Sequence, residues 1–143
     1  MRCYVGARGS AASTAARGPS VYAIASRPLW IVEVGVFNTT TTACVVALQR
    51  ASTTGTQGAG LTEICEDTDI TPVGTGFNTH TADATITSGE FARATLGAAA
   101  GAGVIWTFGK NGVKIDPGTG NGAVITTPTG TGQVCDFYII WEE

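Results

Sequence analysis

The chain has 143 residues, of which 13% are charged and 43% are hydrophobic, and its formal net charge is -3 at pH 7. This net charge gives no general reason to expect binding to nucleic acid or to an anionic membrane, and no apolar run reaches the roughly 20 residues of a membrane-spanning helix. The 20 glycines and the many threonines and valines favour pleated strands joined by turns over amphipathic helices. We therefore expect one all-β domain, with neither nucleic acid nor a membrane among its partners.

Residues 1–20 are predicted to form an extended N-terminal arm that is either flexible or ordered by a partner. The stretch GARGSAASTAARGPS, residues 6–20, is small, polar and weakly basic, so it cannot bury enough apolar area to fold by itself. Half of the eight basic residues precede Glu33, whereas none of the eleven acidic residues does. We expect the arginines of this basic region to contact carboxylates of a partner or of a neighbouring subunit: Arg2, Arg8, Arg17 and Arg27.

Residues 21–143 are predicted to form a single antiparallel β-sandwich. Turn signals recur about every ten residues, which is typical of a sandwich or barrel, and no segment has room for a helix that crosses between parallel strands. The segments 29–37 and 42–50 are predicted to form a hairpin closed by a threonine-rich loop. Strict alternation within the first segment predicts one face made of Trp30, Val32, Val34 and Val36.

The last predicted strand, QVCDFYIIW at residues 133–141, carries apolar side chains on both of its faces. One row is expected to be buried against the opposite sheet: Cys135, Phe137, Ile139 and Trp141. The other row is half apolar, although the outer face of a sandwich strand normally presents polar groups to water. We therefore predict that another subunit covers the apolar members of this outer row: Val134, Tyr138 and Ile140.

No residue pattern predicts catalysis, and we expect neither enzyme activity nor a cofactor. His80 is the only histidine, and a catalytic triad with Asp83 and Ser88 can be imagined. No nucleophile motif surrounds these residues. We therefore interpret His80 as a histidine on a surface loop.

Metal binding is also not predicted. The carboxylates Glu63, Glu66, Asp67 and Asp69 lack the glycine and the spacing of a calcium loop, and we interpret them as an acidic surface turn, with a weak divalent site or an arginine-docking site as the alternatives. The cysteines are too widely spaced for a zinc motif; they are Cys3, Cys44, Cys65 and Cys135. Their even number permits two disulfides, but no continuous apolar segment typical of a secretory signal opens the chain, so we expect Cys44 and Cys135 to be small buried hydrophobes.

Three segments resemble small structural proteins encoded by tailed bacteriophages. They are VYAIASRPLWIVEVGVFNTTTTACVVALQRAS, LGAAAGAGVIWTF and TPTGTGQVCDFYIIWEE, and the resemblance covers roughly residues 21–143. It implies a virion component that is made in the host cytoplasm and carried on the capsid surface. It further implies a capsid decoration (cement) protein with a β-sandwich or jelly-roll fold that forms a homotrimer and binds the phage major capsid protein.

A receptor-binding or glycan-binding module of a phage tail or head fibre is the alternative function. Jelly rolls serve that role as well. Such a module would use the long predicted loops at residues 51–60 and 66–90, together with tryptophans. The number of copies per virion would distinguish a head decoration protein from an adhesion protein at the tail.

Overall fold

The computed structural model describes residues 1–13 and 17–143. The described residues form no helix, and therefore no helix that could cross a membrane. Their strands, in chain order, are β1 (Arg2–Gly9), β2 (Ser20–Tyr22), β3 (Leu29–Asn38), β4 (Cys44–Ala51), β5 (Thr56–Gln57), β6 (Ile64–Cys65), β7 (Thr75–Phe77), β8 (His80–Ala82), β9 (Ala92–Leu96), β10 (Gly103–Thr107), β11 (Val113–Ile115), β12 (Gly122–Thr126) and β13 (Cys135–Glu142).

Eight of these strands form the two facing sheets of a jelly roll. Sheet A contains the order β10-β3-β13-β1 and sheet B the order β2-β12-β4-β9, and all neighbours in both sheets are antiparallel. Chain neighbours such as β2, β3 and β4 alternate between the sheets, as the two Greek keys of a jelly roll require. The predicted all-β antiparallel sandwich with a jelly-roll arrangement is confirmed.

Short strands extend this framework. β6 pairs with β1 at one edge of sheet A, and β11 pairs with β3 next to β10. β7 pairs with β2 at the edge of sheet B, while β5 and β8 form a separate two-stranded ribbon. The two edges of β1 are therefore occupied by β6 and β13.

The hydrophobic core lies between the two sheets. Sheet A contributes the alternate side chains of β13 that the sequence predicted to point inward, and all four are buried: Cys135, Phe137, Ile139 and Trp141. Sheet B contributes Val21, Val46, Leu48 and Ile125 to the same cluster. Burial of apolar area at about 25 cal/mol per Å² is the main force that holds the two sheets together.

The expected N-terminal arm is wrong for residues 2–9, because these residues form β1. The whole length of β1 pairs with β13, from Arg2 opposite Glu142 to Gly9 opposite Cys135. Cys3 and Val5 point into the core and are almost completely buried. The few apolar side chains of this segment suffice because the neighbouring strands supply the rest of the buried surface. Residues 14–16 of the expected arm lie outside the described residues.

The predicted hairpin between residues 29–37 and 42–50 is also wrong. β3 lies in sheet A and β4 in sheet B, so the intervening loop crosses from one sheet to the other. The side-chain amide of Asn38 holds this crossing by donating to the carbonyls of Thr42, at 2.7 Å, and Gly97, at 3.0 Å. Alternating apolar residues suit two strands that face each other across a core as well as two that pair, and here β10, β11 and β13 occupy the edges of β3.

The prediction that β3 has one continuous apolar face is wrong, because the strand contains a β-bulge. The register between β3 and β13 shifts at Val32, which has no partner in β13. One extra residue moves all later side chains to the opposite face. The buried residues of β3 are therefore Leu29 and Ile31 before the bulge and Val34 and Val36 after it.

Candidate interaction surface

The outer face of sheet A, which points away from the core, carries an apolar patch. The patch crosses five neighbouring strands, from β6 through β1, β13 and β3 to β10. Ile64 is 62% exposed and Ile105 is 53% exposed, and the other members are half-buried. We call this surface the outer patch, and its residues are Tyr4, Phe37, Ile64, Ile105, Tyr138 and Ile140. Contiguous exposed apolar surface of this kind marks a site of interaction.

Strand pairing arranges the outer patch in two rows across the sheet. In the first row, Ile64 lies opposite Tyr4, and Tyr4 lies opposite Ile140. The second row runs from Tyr138 across one glycine of β3 to Ile105. Neighbouring strands are about 4.8 Å apart, so each row forms a band of apolar side chains at right angles to the strands.

Tyr138 is the anchored side chain of the outer patch. It lies between Gly6 on β1 and Gly35 on β3, and its ring covers Gly35 so closely that a Cβ atom there would overlap the ring. Its hydroxyl donates a hydrogen bond of 2.6 Å to the Glu33 carboxylate, and its ring stacks on Phe37. Burial and this hydrogen bond raise the pKa of Tyr138 to about 12. The neutral ring is held in place, which reduces the entropy lost when a partner covers it.

Two ion pairs between β1 and β13 bracket the outer patch. Arg2 donates to Glu142 at 3.0 Å, and Arg8 donates to Asp136 at 2.8 Å. The hydrogen bond from Arg8 holds the pKa of Asp136 below its ordinary value. All four side chains are 41–65% exposed, so the pairs contribute little to stability. Their charges remain accessible to the charges of a partner.

The structure brings together four of the seven residues that were predicted to make contacts: Arg2, Arg8, Tyr138 and Ile140. The other three lie apart from this group. Val134 precedes β13, is 37% exposed, and its carbonyl accepts hydrogen bonds from Thr39. Arg17 pairs with Asp83, whereas Arg27 is exposed and forms no ion pair within the described part of the chain.

Sequence reasoning missed four members of the outer patch: Tyr4, Phe37, Ile64 and Ile105. The signal for Tyr4 was present, because Cys3 and Val5 flank it and alternate with it as they do in a half-buried strand. Because residues 1–20 were predicted to form an arm, no strand was predicted at Arg2–Gly9. The remaining three residues belong to the outer patch only through the order of the strands in the sheet.

His80 is buried, with 3% of its surface exposed, so the interpretation of His80 as a histidine on a surface loop is wrong. Its Nδ1 lies 2.7 Å from the Thr54 carbonyl, which can only accept, so Nδ1 carries the hydrogen. Its Nε2 therefore accepts from the Ser20 hydroxyl at 2.8 Å. Ser20 is completely buried, so the pair holds the β5–β8 ribbon to sheet B and presents no nucleophile at the surface. Neither Asp83 nor Ser88 is bonded to His80 in the described structure.

His80 predicts a loss of stability in acid. Its burial lowers its pKa below the ordinary value of 6.5, so the folded state binds fewer protons than the unfolded state and is destabilised as the pH falls through about 6.5. At neutral pH we expect His80→Gln to lower the free energy of unfolding by about 1–3 kcal/mol, because it disturbs buried hydrogen bonds.

Thermal unfolding of both proteins between about pH 7.5 and pH 5 checks this prediction. The difference in melting temperature should narrow towards pH 5, because only the wild type gains a proton on unfolding there. A difference that stays constant over this range would contradict the assignment of His80 as a buried neutral group.

The carboxylates of the acidic turn do not point towards one common site, because three of them accept hydrogen bonds from different groups. The Glu63 carboxylate accepts from the Gly76 amide, Glu66 accepts from the Tyr4 hydroxyl, and Asp67 accepts from the Asp69 amide. The interpretation of this turn as a surface feature agrees with the exposure of most of it. A carboxylate oxygen of Glu66 also lies 4.0 Å from a guanidinium nitrogen of Arg2. The turn therefore does bind an arginine, as the alternative interpretation expected, but this arginine belongs to the same chain.

The four cysteines form one disulfide and one pair of free thiols. Cys3 on β1 and Cys65 on β6 are directly opposite each other and are joined. Among the described residues, the only cluster with metal-ligand spacing combines these two with Glu143, and sulfurs joined in a disulfide are not available as thiolate ligands. The prediction that Cys44 and Cys135 are buried is confirmed.

An open pocket of about 350 Å³ lies at one end of sheet A. Its walls include Trp30, Lys110, Asn111 and Glu142. Of the three tryptophans, only Trp30 lines this pocket, since Trp141 is completely buried and Trp106 packs against the core. The pocket combines an aromatic ring with amide and charged groups.

Comparisons with protein-family models, with curated proteins and with solved structures find no significant match to this chain.

Proposed function

We propose that this chain is a virion structural protein of a tailed bacteriophage, a decoration protein that binds the assembled lattice of the major capsid protein and stabilises it. The observation that carries the proposal is the outer patch, an apolar surface bracketed by charged pairs on one sheet of the β-sandwich. The resemblance of residues 21–143 to phage structural proteins gives the class of partner. Jelly rolls are used repeatedly in viral capsids, which agrees with this function at the level of the fold alone.

The outer patch is the proposed interface between copies of the chain in a homotrimer. Tyr138 and Ile140 stand at its centre, and aromatic side chains that are fixed before binding are the usual centres of such interfaces. The polar rim of the interface consists of two ion pairs, Arg2 with Glu142 and Arg8 with Asp136. In the trimer these charges would pair with charges of the neighbouring subunit and so fix the orientation of the subunits.

Arg17 and Arg27 lie away from the outer patch and are the arginines proposed to face the capsid. An assembled lattice presents a composite site that the free capsid subunit lacks. Binding to that site shifts the equilibrium towards the intact shell by mass action, and a trimer adds avidity because its subunits engage the lattice together.

The double variant Tyr138→Asp/Ile140→Asp tests this proposal. We expect soluble monomers in place of trimers, and binding to empty phage heads weakened by roughly 100-fold, because two carboxylates would be buried without partners. Sedimentation velocity measures the mass, and co-sedimentation with purified heads measures the binding.

Thr95→Asp is the matched control, because Thr95 is exposed on β9 in the other sheet. This variant should retain both the trimer and its binding to heads. A double variant that remains trimeric and binds as the wild type does would contradict the interface. A wild-type protein that neither self-associates nor binds heads would contradict the function.

Deletion of the N-terminal residues is not a suitable test of the arginines, because it would remove β1 from sheet A. The single substitutions Arg17→Glu and Arg27→Glu leave that strand intact. Weakened binding to heads by a trimer of normal mass would support a capsid contact at these residues.

Glycan binding by a receptor-binding module is a second candidate function, and the pocket beside Trp30 favours it. An aromatic ring with nearby amide and carboxylate groups is suited to stack on a sugar and bond its hydroxyls. A panel of neutral oligosaccharides should then quench the fluorescence of the wild type but not that of Trp30→Ala. No binding by the wild type would leave the decoration function as the only candidate.

A further inference from the structure

Two free cysteines face each other across the core of the sandwich. Cys44 is the first residue of β4 in sheet B, and Cys135 is the first residue of β13 in sheet A. Both are buried in the same hydrophobic cluster. Asn38 connects their surroundings, because it lies opposite Cys135 in the ladder and its amide donates to the Thr42 carbonyl, two residues before Cys44.

The two thiols are direct neighbours. Burial, together with the neighbouring Cys44 thiol, raises the pKa of Cys135 to about 12. The Cys135 thiol is therefore a poor nucleophile in the folded protein. Cys44 is also buried, but it borders an open pocket of about 180 Å³ that is lined by Ala43 and by residues 129–131, through which a small disulfide can approach it.

The existing disulfide does not join the two sheets to each other. Cys3 and Cys65 join β1 to β6, and both of these strands belong to sheet A. The sheets are held together by apolar contacts and by the loops that cross between them. Cys44 and Cys135 are the remaining cysteines of the chain, and each belongs to a different sheet.

We propose that Cys44 and Cys135 form an oxidation site that closes into a second disulfide and joins sheet A to sheet B. The oxidant is a low-molecular-weight disulfide such as glutathione disulfide. The Cys44 thiolate attacks one of its sulfurs, a mixed disulfide forms, and one small thiol leaves. Cys135 loses its proton and attacks the Cys44 sulfur, and a second small thiol leaves. The protein loses two hydrogens while the small disulfide is reduced to two thiols.

The experiment refolds the full chain in a glutathione buffer, blocks remaining thiols with iodoacetamide in denaturant, and determines the intact mass and the linked peptides. We expect no blocked cysteine and a peptide that links Cys44 to Cys135, beside the one that links Cys3 to Cys65. Blocked Cys44 and Cys135 together with an intact Cys3–Cys65 bond would overturn the proposal. Linkage of Cys44 to Cys3 or to Cys65 would also overturn it.

Thermal unfolding gives an independent readout. Because the new bond closes the long loop between residues 44 and 135, the doubly bridged protein should melt roughly 10 °C above the same protein with the two thiols free. Cys44→Ala/Cys135→Ala, with the Cys3–Cys65 bond intact, should show no change in melting temperature between reducing conditions mild enough to spare that bond and oxidising ones. An equal response of the variant and the wild type to the oxidant would contradict a disulfide at this site.

Discussion

Replacement of Trp141 by alanine should lower the free energy of unfolding by about 4 kcal/mol, the largest effect expected of a single substitution in this chain. Trp141 is completely buried between the sheets. Its indole Nε1 donates to the Glu143 carboxylate at 3.0 Å, and the backbone at Gly74 rests against the ring. Alanine would leave a cavity and would remove the hydrogen bond from the indole to the Glu143 carboxylate at the end of β13. Such a loss is a large part of the stability of a typical domain.

Trp30→Ala is the matched control for this prediction. Trp30 lies on β3 almost opposite Trp141, but its side chain is on the outer face and is only half-buried. Its removal should cost less than half as much, because no enclosed cavity forms. Denaturant unfolding followed by circular dichroism gives both values. Equal losses for the two variants would mean that β13 does not turn Trp141 towards the core.

Reduction of the Cys3–Cys65 disulfide should cost about 4 kcal/mol if its effect is that of closing a loop in the unfolded chain. The two cysteines are 62 positions apart, so the bond restricts nearly half of the unfolded chain. In the folded state it fixes the two-residue strand β6 to the edge of β1. Without it, we expect β6 to fray, since so short a strand makes few ladder hydrogen bonds.

This prediction is best measured in the Cys44→Ala/Cys135→Ala background, in which only one disulfide can form. Calorimetry with and without a reductant should show a lower melting temperature for the reduced protein. Cys3→Ala/Cys65→Ala in the same background should melt at a low temperature under both conditions. A reductant that leaves the melting temperature of the first protein unchanged would contradict the role assigned to this bond.

The disulfide also connects stability with the proposed interface. Ile64, the most exposed member of the outer patch, is adjacent to Cys65 in β6. If β6 frays on reduction, Ile64 no longer lies beside Tyr4, and the first row of the outer patch loses its terminal residue. We therefore expect self-association to weaken in a reductant even where the rest of the sandwich stays folded.

The fold class and the inward row of β13 were predictable because each depends on a local pattern. Turn residues at short intervals indicate many short strands, and the alternation of Cys135, Phe137, Ile139 and Trp141 identifies a half-buried strand. The row of Tyr138 and Ile140 was identified in the same way, as an apolar row that should have been polar.

Most of the missed features depend on contacts between residues that are far apart in the sequence. β1 is a strand because β13 pairs with it, and the arginine pairs Arg2–Glu142 and Arg8–Asp136 join opposite ends of the chain. The burial of His80 depends on loops that close over it. The bulge at Val32 changes the phase of a strand without any distinctive residue type. The arginine pairs, the burial of His80 and the bulge leave no periodic signal, whereas β1 leaves only the short alternation of Cys3, Tyr4 and Val5.

We propose that this chain is a component of the phage head, bound to the assembled lattice through copies that associate by the outer patch. Quantitative mass spectrometry of purified virions, with the major capsid protein as the internal standard, tests it most directly. Many copies per particle, in fixed proportion to the major capsid protein, are the predicted result. A handful of copies that remain with detached tails, or none at all, would contradict the claim.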